Sequence, residues 1–359
     1  FQSHKRPNTA CTRQVLALPA LAGNASRWAA KLWNPRKGKN MPYESFYDLE
    51  DHLVQLFQNK NFKEALNIIT REGSKFTEER PWVDYWHMCA AARVKNYPLV
   101  IQIAENAFAK GMWYGDGIWR STPSFESLQG DPDFERIVRV SKTIQEQEAP
   151  INKPVLHIHL PANHSETSPL FVALHGNVTT AQKTMPFWQE SILQGWVLAL
   201  PQSNQVLFKE AYVWNDLEIA FANVQEHFAQ IQTRVPYDKK RVIIAGHSRG
   251  SLVAIQMSLT GILDVSGFIA IGPVIPYLDD QEKLAQLLVQ GRERNLRGYL
   301  IVGEKDDSSY VEGSQAFFEK LQSAGIESRL EVVPGAAHDY SPLYDAAFLR
   351  ALSYVGRSE

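Results

Sequence analysis

Cysteine is scarce in this chain: 359 residues carry two, Cys11 and Cys89. Two thiols close at most one bridge, so neither a disulfide scaffold nor a four-cysteine zinc site fits. Net charge is almost absent, −2 at pH 7, which argues against nucleic acid as the partner. No run of about 18 apolar residues occurs, so no membrane-spanning helix is expected. What is present is ordinary for a folded chain. It is 44% hydrophobic and 21% charged, near the globular averages, and long enough for about two domains.

Acidic residues are missing from one place in particular. Residues 1–40 hold eight Lys or Arg and no Asp or Glu, which leaves 29 of the 37 basic residues against all 39 acidic ones in the rest. Two readings fit this basic leader. It is either outside the functional product, with Met41 as the natural start, or a targeting segment, with Lys5, Arg6 and Arg13 ahead of the apolar run 15–23. On both readings it stays outside the fold. Asn163 and Asn177 each head an N-glycosylation triplet. The second falls in a loop assigned below to the active site, where a glycan would block access. Both therefore read as chance, and a cytoplasmic location is expected.

Residues 41–146 read as a helical domain. Tyr47, Leu49, Leu53, Leu56 and Phe57 recur at helical spacing, as do Phe62, Ala65, Leu66 and Ile69. Lys60-Asn61-Phe62 returns 35 residues later as Lys95-Asn96-Tyr97, each time between two helical runs. A period near 34 suggests helix–turn–helix repeats of tetratricopeptide type, with Asp131-Pro132 opening a third helix. An irregular helical domain is the alternative. Such repeats bind peptides or pack on a neighbouring domain, so a protein partner through these helices is expected. The segment 144–154 is polar, and Pro150 and Pro154 stop the helix there.

From 147 to 359 the pattern changes. Short apolar runs at 154–160, 170–174, 196–200, 242–245, 268–271, 299–302 and 330–333 read as strands. Helical stretches lie between them, clearest at 217–232, 252–259, 311–323 and 341–352. This alternation predicts an α/β domain, a mostly parallel sheet with helices on both faces. Ligands bind such sheets beyond the C-terminal strand ends.

The segment 241–254 carries the chemistry: an apolar strand, then Gly246-His247-Ser248-Arg249-Gly250, then a helix. In a turn this tight, side chains at the two glycines would clash. The turn leaves Ser248 exposed at the start of a helix. The helix dipole and the Arg249 backbone N–H then face a reacting carbonyl oxygen.

At this point the chain resembles the α/β-hydrolase family over about residues 154–355. The dienelactone-hydrolase, phospholipase/carboxylesterase and prolyl-oligopeptidase-like branches are the nearest. The family orders its triad Ser, then Asp or Glu, then His. The resemblance implies Ser248 as nucleophile. Asp306 follows the strand in Gly303-Glu304-Lys305-Asp306-Asp307 at the family's spacing, with Asp307 as runner-up. His338, after Pro334-Gly335 and the last strand, becomes the general base. The family also has a His-Gly pair after the strand 170–174, here His175-Gly176. The next residue, Asn177, would supply the second oxyanion-hole N–H beside that of Arg249.

His175, Gly176, His247, Trp214 and Tyr340 are the candidate substrate-contacting residues, with His175 and His247 also open to a structural role. Tyr277 and Tyr310 lie in segments read as loops at the strand ends and are further candidates. His157 and His159 share a strand face but have no third ligand nearby, so no metal is expected. No cofactor is needed for acyl transfer through a serine. The segment 272–297 has room for one helix, too little for a large lipase-type lid. The leading reading is a carboxylic ester hydrolase acting on a small or medium soluble ester. A serine peptidase of prolyl-oligopeptidase type is the second, with Arg249 to hold a peptide terminus. A binding protein with an inactive hydrolase fold is the third.

Overall fold

The computed structural model describes residues 43, 46–148, 155–277 and 279–357. The basic leader 1–40, Cys11 and most of the polar segment 144–154 lie outside the described residues. The chain divides into two compact units. One is built on residues up to Pro150 with Leu207–Lys209, and the other on Ile151–Val206 with Glu210–Glu359.

The first unit is helical. α1 (Phe46–Gln58) and α2 (Phe62–Glu72) form one helix pair, α3 (Arg80–Arg93) and α4 (Tyr97–Phe108) a second. In α1, Phe46, Leu49, Leu53 and Leu56 recur at helical spacing and are buried. The repeated Lys-Asn-aromatic triplet is a repeated turn. Lys60 and Lys95 both take left-handed φ, 58° and 62°. The next N–H reaches back five residues in each case, Asn61 to Leu56 O at 2.7 Å and Asn96 to Ala91 O at 2.9 Å. That is the Schellman helix ending, with lysine where glycine is usual. After α5 (Asp116–Ser121) comes α6 (Pro132–Glu148), as the Asp131-Pro132 signal predicts. The Asp131 carboxylate accepts the N–H groups of Asp133 and Phe134 at 3.0 and 3.1 Å, and proline occupies the first helical position.

The second unit is an α/β-hydrolase fold. Its elements are β1 (Leu156–His159), β2 (Pro169–Leu174), α7 (Ala181–Trp188), α8 (Glu190–Leu193), β3 (Val197–Pro201), β4 (Gln205–Phe208, whose last two residues count with the first unit) and β5 (Ala211–Val213). They continue with α9 (Leu217–Arg234), β6 (Asp238–His247), α10 (Arg249–Thr260), β7 (Gly267–Ile271) and α11 (Gln281–Arg292). The last are β8 (Arg297–Gly303), α12 (Ser308–Ser323), β9 (Glu327–Val333) and α13 (Asp345–Val355). Seven strands form one sheet in the order β1-β3-β2-β6-β7-β8-β9. β1 runs antiparallel to β3, and the other neighbours are parallel. The pair β4 and β5 forms a separate two-stranded sheet that the sequence pattern does not announce.

Both faces of the main sheet are covered, as strand alternation requires. Leu170, Val172 and Leu174 of β2 enter one buried cluster with Val253, Met257 and Phe317. Phe171 and Ala173 enter the other, with Trp188, Phe348 and Leu352. The strand order reverses between β2 and β6, where Leu174 pairs with Gly246. In open α/β sheets, ligands bind outside the C-terminal strand ends at such a reversal.

Candidate active site

Ser248 sits between β6 and α10 with φ 51° and ψ −121°. A non-glycine residue at such angles is strained, and the surrounding structure must hold it. Two hydrogen bonds do so. Its N–H donates to Ile271 O at 2.9 Å, and its carbonyl accepts the Ser251 N–H at 3.0 Å. The flanking glycines let the backbones close on each other. A Cβ on Gly246 would lie 2.3 Å from the Gly250 backbone, and one on Gly250 would lie 2.3 Å from His175 O. Real Cβ atoms do not approach backbone so closely, so the turn accepts no other residue at either place.

Two other strand ends bring their side chains to this turn. His338, after β9, places Nε2 2.8 Å from Ser248 Oγ. Its Nδ1 lies 3.1 Å from Asp306 Oδ1, after β8. The carboxylate can only accept, so Nδ1 carries the proton and Nε2 presents its lone pair to the serine hydroxyl. The other Asp306 oxygen accepts the Gly303 N–H at 3.1 Å. Asp306 is only 4% exposed. Asp307 turns away from this chain of bonds. Its Oδ1 accepts the Ser309 N–H at 2.8 Å and caps α12.

Two further residues position His338, and motif spacing did not reveal their roles. Gly272, just after β7, has φ +51°, and a Cβ there would come within 2.9 Å of the His338 ring. Only glycine leaves room for the imidazole. Tyr310 is in the first turn of α12, not in a loop as its sequence context suggested. Its ring stacks on His338 at 4.3 Å between centroids, tilted 34°. Burial pushes the Tyr310 phenol pKa up, Asp306 adds to this, and a hydrogen bond with Ser248 opposes it. The phenol therefore stays protonated beside the serine. Tyr277 instead occupies a turn, with the Lys283 ammonium 5.6 Å from its ring centre.

The loop after β2 lies against the elbow. The Gly176 N–H donates to the Tyr340 hydroxyl at 2.7 Å, so this tyrosine ties the loop to the segment carrying His338. Asn177 is clamped at its side chain: Oδ1 accepts the Trp214 N–H at 2.8 Å, and Nδ2 donates to Asn215 Oδ1 at 2.9 Å. Its own backbone N–H, like that of Arg249, donates to no acceptor among the described residues.

Three side chains expected to contact substrate lie beneath the site instead. His175 and Trp214 have no exposed surface, and His247 is 4% exposed. Both His175 nitrogens are used: Ser203 N–H donates to Nε2 at 3.2 Å, and Nδ1 donates to Gly176 O at 2.6 Å. Burial lowers the His175 pKa to about 4, so the ring is neutral at pH 7. Trp214 Nε1–H donates to His175 O at 2.8 Å. His247 packs its ring 4.3 Å from Tyr340 and 5.0 Å from His338. Burial first, and then His338, hold its pKa well below the ordinary imidazole value. A neutral His247 does not oppose a positive charge forming on His338.

Among the described residues no group of three His, Cys, Asp or Glu is placed to hold a metal ion. No described helix is long and apolar enough to cross a membrane.

No family model and no curated protein matches the chain. Solved structures do. An uncharacterized protein from Bacillus cereus ATCC 10987 is 26% identical, covering 87% of this chain and 98% of its own, with a TM-score of 0.49. The S-formylglutathione hydrolase FrmB of Staphylococcus aureus is 17% identical, covering 57% of this chain and 90% of its own, with a TM-score of 0.45. FphF, a fluorophosphonate-binding serine hydrolase of Staphylococcus aureus, is 16% identical, covering 56% and 92%, with a TM-score of 0.44.

Proposed function

We propose that this chain is a serine hydrolase that cleaves a small or medium carboxylic ester through Ser248, His338 and Asp306. The observation that carries this is the unbroken relay, 2.8 Å from Ser248 Oγ to His338 Nε2 and 3.1 Å from Nδ1 to Asp306. Nε2 takes the Ser248 proton as Oγ bonds to the ester carbonyl carbon. Asp306 holds the tautomer and stabilises the imidazolium. The oxyanion accepts the backbone N–H groups of Asn177 and Arg249, and the second of these opens a helix. The C–O bond to the leaving group breaks, and the imidazolium returns its proton to the departing oxygen. A water then repeats the sequence on the acyl-enzyme and frees the acid.

Strain at Ser248 supports the reading, because such angles cluster at functional residues. The connection from β7 to β8 holds one described helix, α11, which favours a small or medium substrate over a long-chain lipid. The paired helices before residue 149 repeat at the tetratricopeptide period. On this reading they offer a surface to a protein partner.

Release of 4-nitrophenol from 4-nitrophenyl butyrate tests the function. Wild-type protein is expected to turn the ester over, and Ser248→Ala to stay at the buffer rate. Equal rates for the two proteins would refute the assignment.

A further inference from the structure

The acyl-transfer steps use the backbone of Arg249 and leave its side chain without a task. The guanidinium directly follows the nucleophile in the chain and is half-buried. Nε donates to Trp214 O at 3.2 Å and Nη2 to Asn215 O at 3.4 Å, both neutral carbonyls and both long. Among the described residues no carboxylate lies within 4.0 Å of it, the distance of an ion pair. Burial lowers its pKa, yet a guanidinium stays charged at neutral pH. A partly desolvated cation without a counter-ion is costly unless something uses its charge. Of its five N–H donors, two are engaged, so a fork remains for an acceptor with two oxygens.

Its place is informative. Trp214 and Asn215 are also the residues that clamp the Asn177 side chain. The guanidinium is thus tied to the segment that anchors the loop after β2. Tyr310, stacked on His338, is close enough to feel its charge.

We propose that Arg249 binds an anionic group of the substrate, so that the ester cleaved at Ser248 carries a carboxylate a few bonds from its scissile carbonyl. This rests on the acyl-transfer reading above and narrows it to half-esters of dicarboxylic acids and compounds of like charge. Neutral esters of the same shape leave the guanidinium unpaired and are poorer substrates.

The test compares mono-4-nitrophenyl esters of succinic, glutaric and adipic acid with the methyl esters of the same compounds, each above its buffer rate. The readout is the ratio of kcat/KM, charged over neutral, measured on one preparation. That ratio is independent of the folded fraction and of any change in the shared oxyanion site. The wild type is expected to favour the charged ester at least tenfold at one chain length. Arg249→Gln is expected to lose that preference, and Arg249→Lys to keep part of it. A wild type that prefers the methyl ester at every length, or an Arg249→Gln ratio equal to wild type, overturns the proposal. If neither ester is turned over and Ser248 takes no fluorophosphonate, the acyl-transfer reading itself has failed. Turnover of both esters with an unchanged ratio fails Arg249 alone.

Discussion

Asp306→Asn is expected to lower kcat for 4-nitrophenyl butyrate about 10,000-fold, while Asp307→Asn changes it by no more than about threefold. The two acids are adjacent in the chain but differ in what they touch. Asp306 meets His338 Nδ1 and is held from behind by the Gly303 N–H. An amide there can present its NH2 to Nδ1, which favours the wrong tautomer and turns the imidazole from acceptor to donor toward Ser248. Asp307 caps a helix through the Ser309 N–H, and asparagine caps nearly as well. Ser248→Ala and His338→Ala are each expected to cost on the order of a million-fold, and the double variant little more, because the three groups act as one unit. Steady-state rates per mole of folded protein check all five. Equal losses for the two aspartates would contradict the assignment.

Gly250→Ala is expected to abolish turnover and to lower stability by about 3 kcal/mol, the upper end for overpacking a closed interior. The added methyl would sit 2.3 Å from His175 O and 2.8 Å from Leu174 O. Both are backbone atoms at the end of a central strand, so no side chain can swing aside. Relief requires β2 and α10 to separate, which pulls the Asn177 N–H after β2 away from Ser248 and from the Arg249 N–H at the start of α10. Urea unfolding gives the stability change and the ester assay the activity. A variant with wild-type midpoint and rate would show that the elbow is looser than its geometry implies.

The fold was largely legible because each strand is a short apolar run closed by a turn signal, and β2, β6, β7 and β8 are buried along most of their length. Parallel strands covered on both faces read as continuous apolar stretches. The hairpin of β4 and β5 escaped because its strands are four and three residues long, too short for alternation to register. Helix α7 escaped because Pro186 lies inside it, and proline usually marks a helix end.

The site divides in the same way. Ser248, Asp306 and His338 stand just past strands with turn signatures, where the resemblance to the α/β-hydrolase family implies its triad, and the structure brings these three side chains into one hydrogen-bonded row. The requirement at Gly272 was hidden. A Gly-Pro pair after an apolar run signals a turn, and nothing local says that an imidazole from residue 338 will pack on it. The stacking of Tyr310 on that ring was hidden for the same reason, since the contact spans two strand ends. Burial decided against His175, Trp214 and His247 as substrate contacts. Residues flanking a motif look catalytic in sequence, yet two of these rings carry hydrogen bonds that hold the loop after β2 from below.

The central claim is that His338 activates Ser248. A fluorophosphonate probe reads this directly, because it bonds covalently to an activated serine and to few others. Peptide mass spectrometry of the treated protein is expected to show one adduct, on Ser248, absent after Ser248→Ala and after His338→Ala in proteins that still melt cooperatively. No adduct on the folded wild type, or an adduct on Ser248 that persists unchanged without His338, would contradict the account.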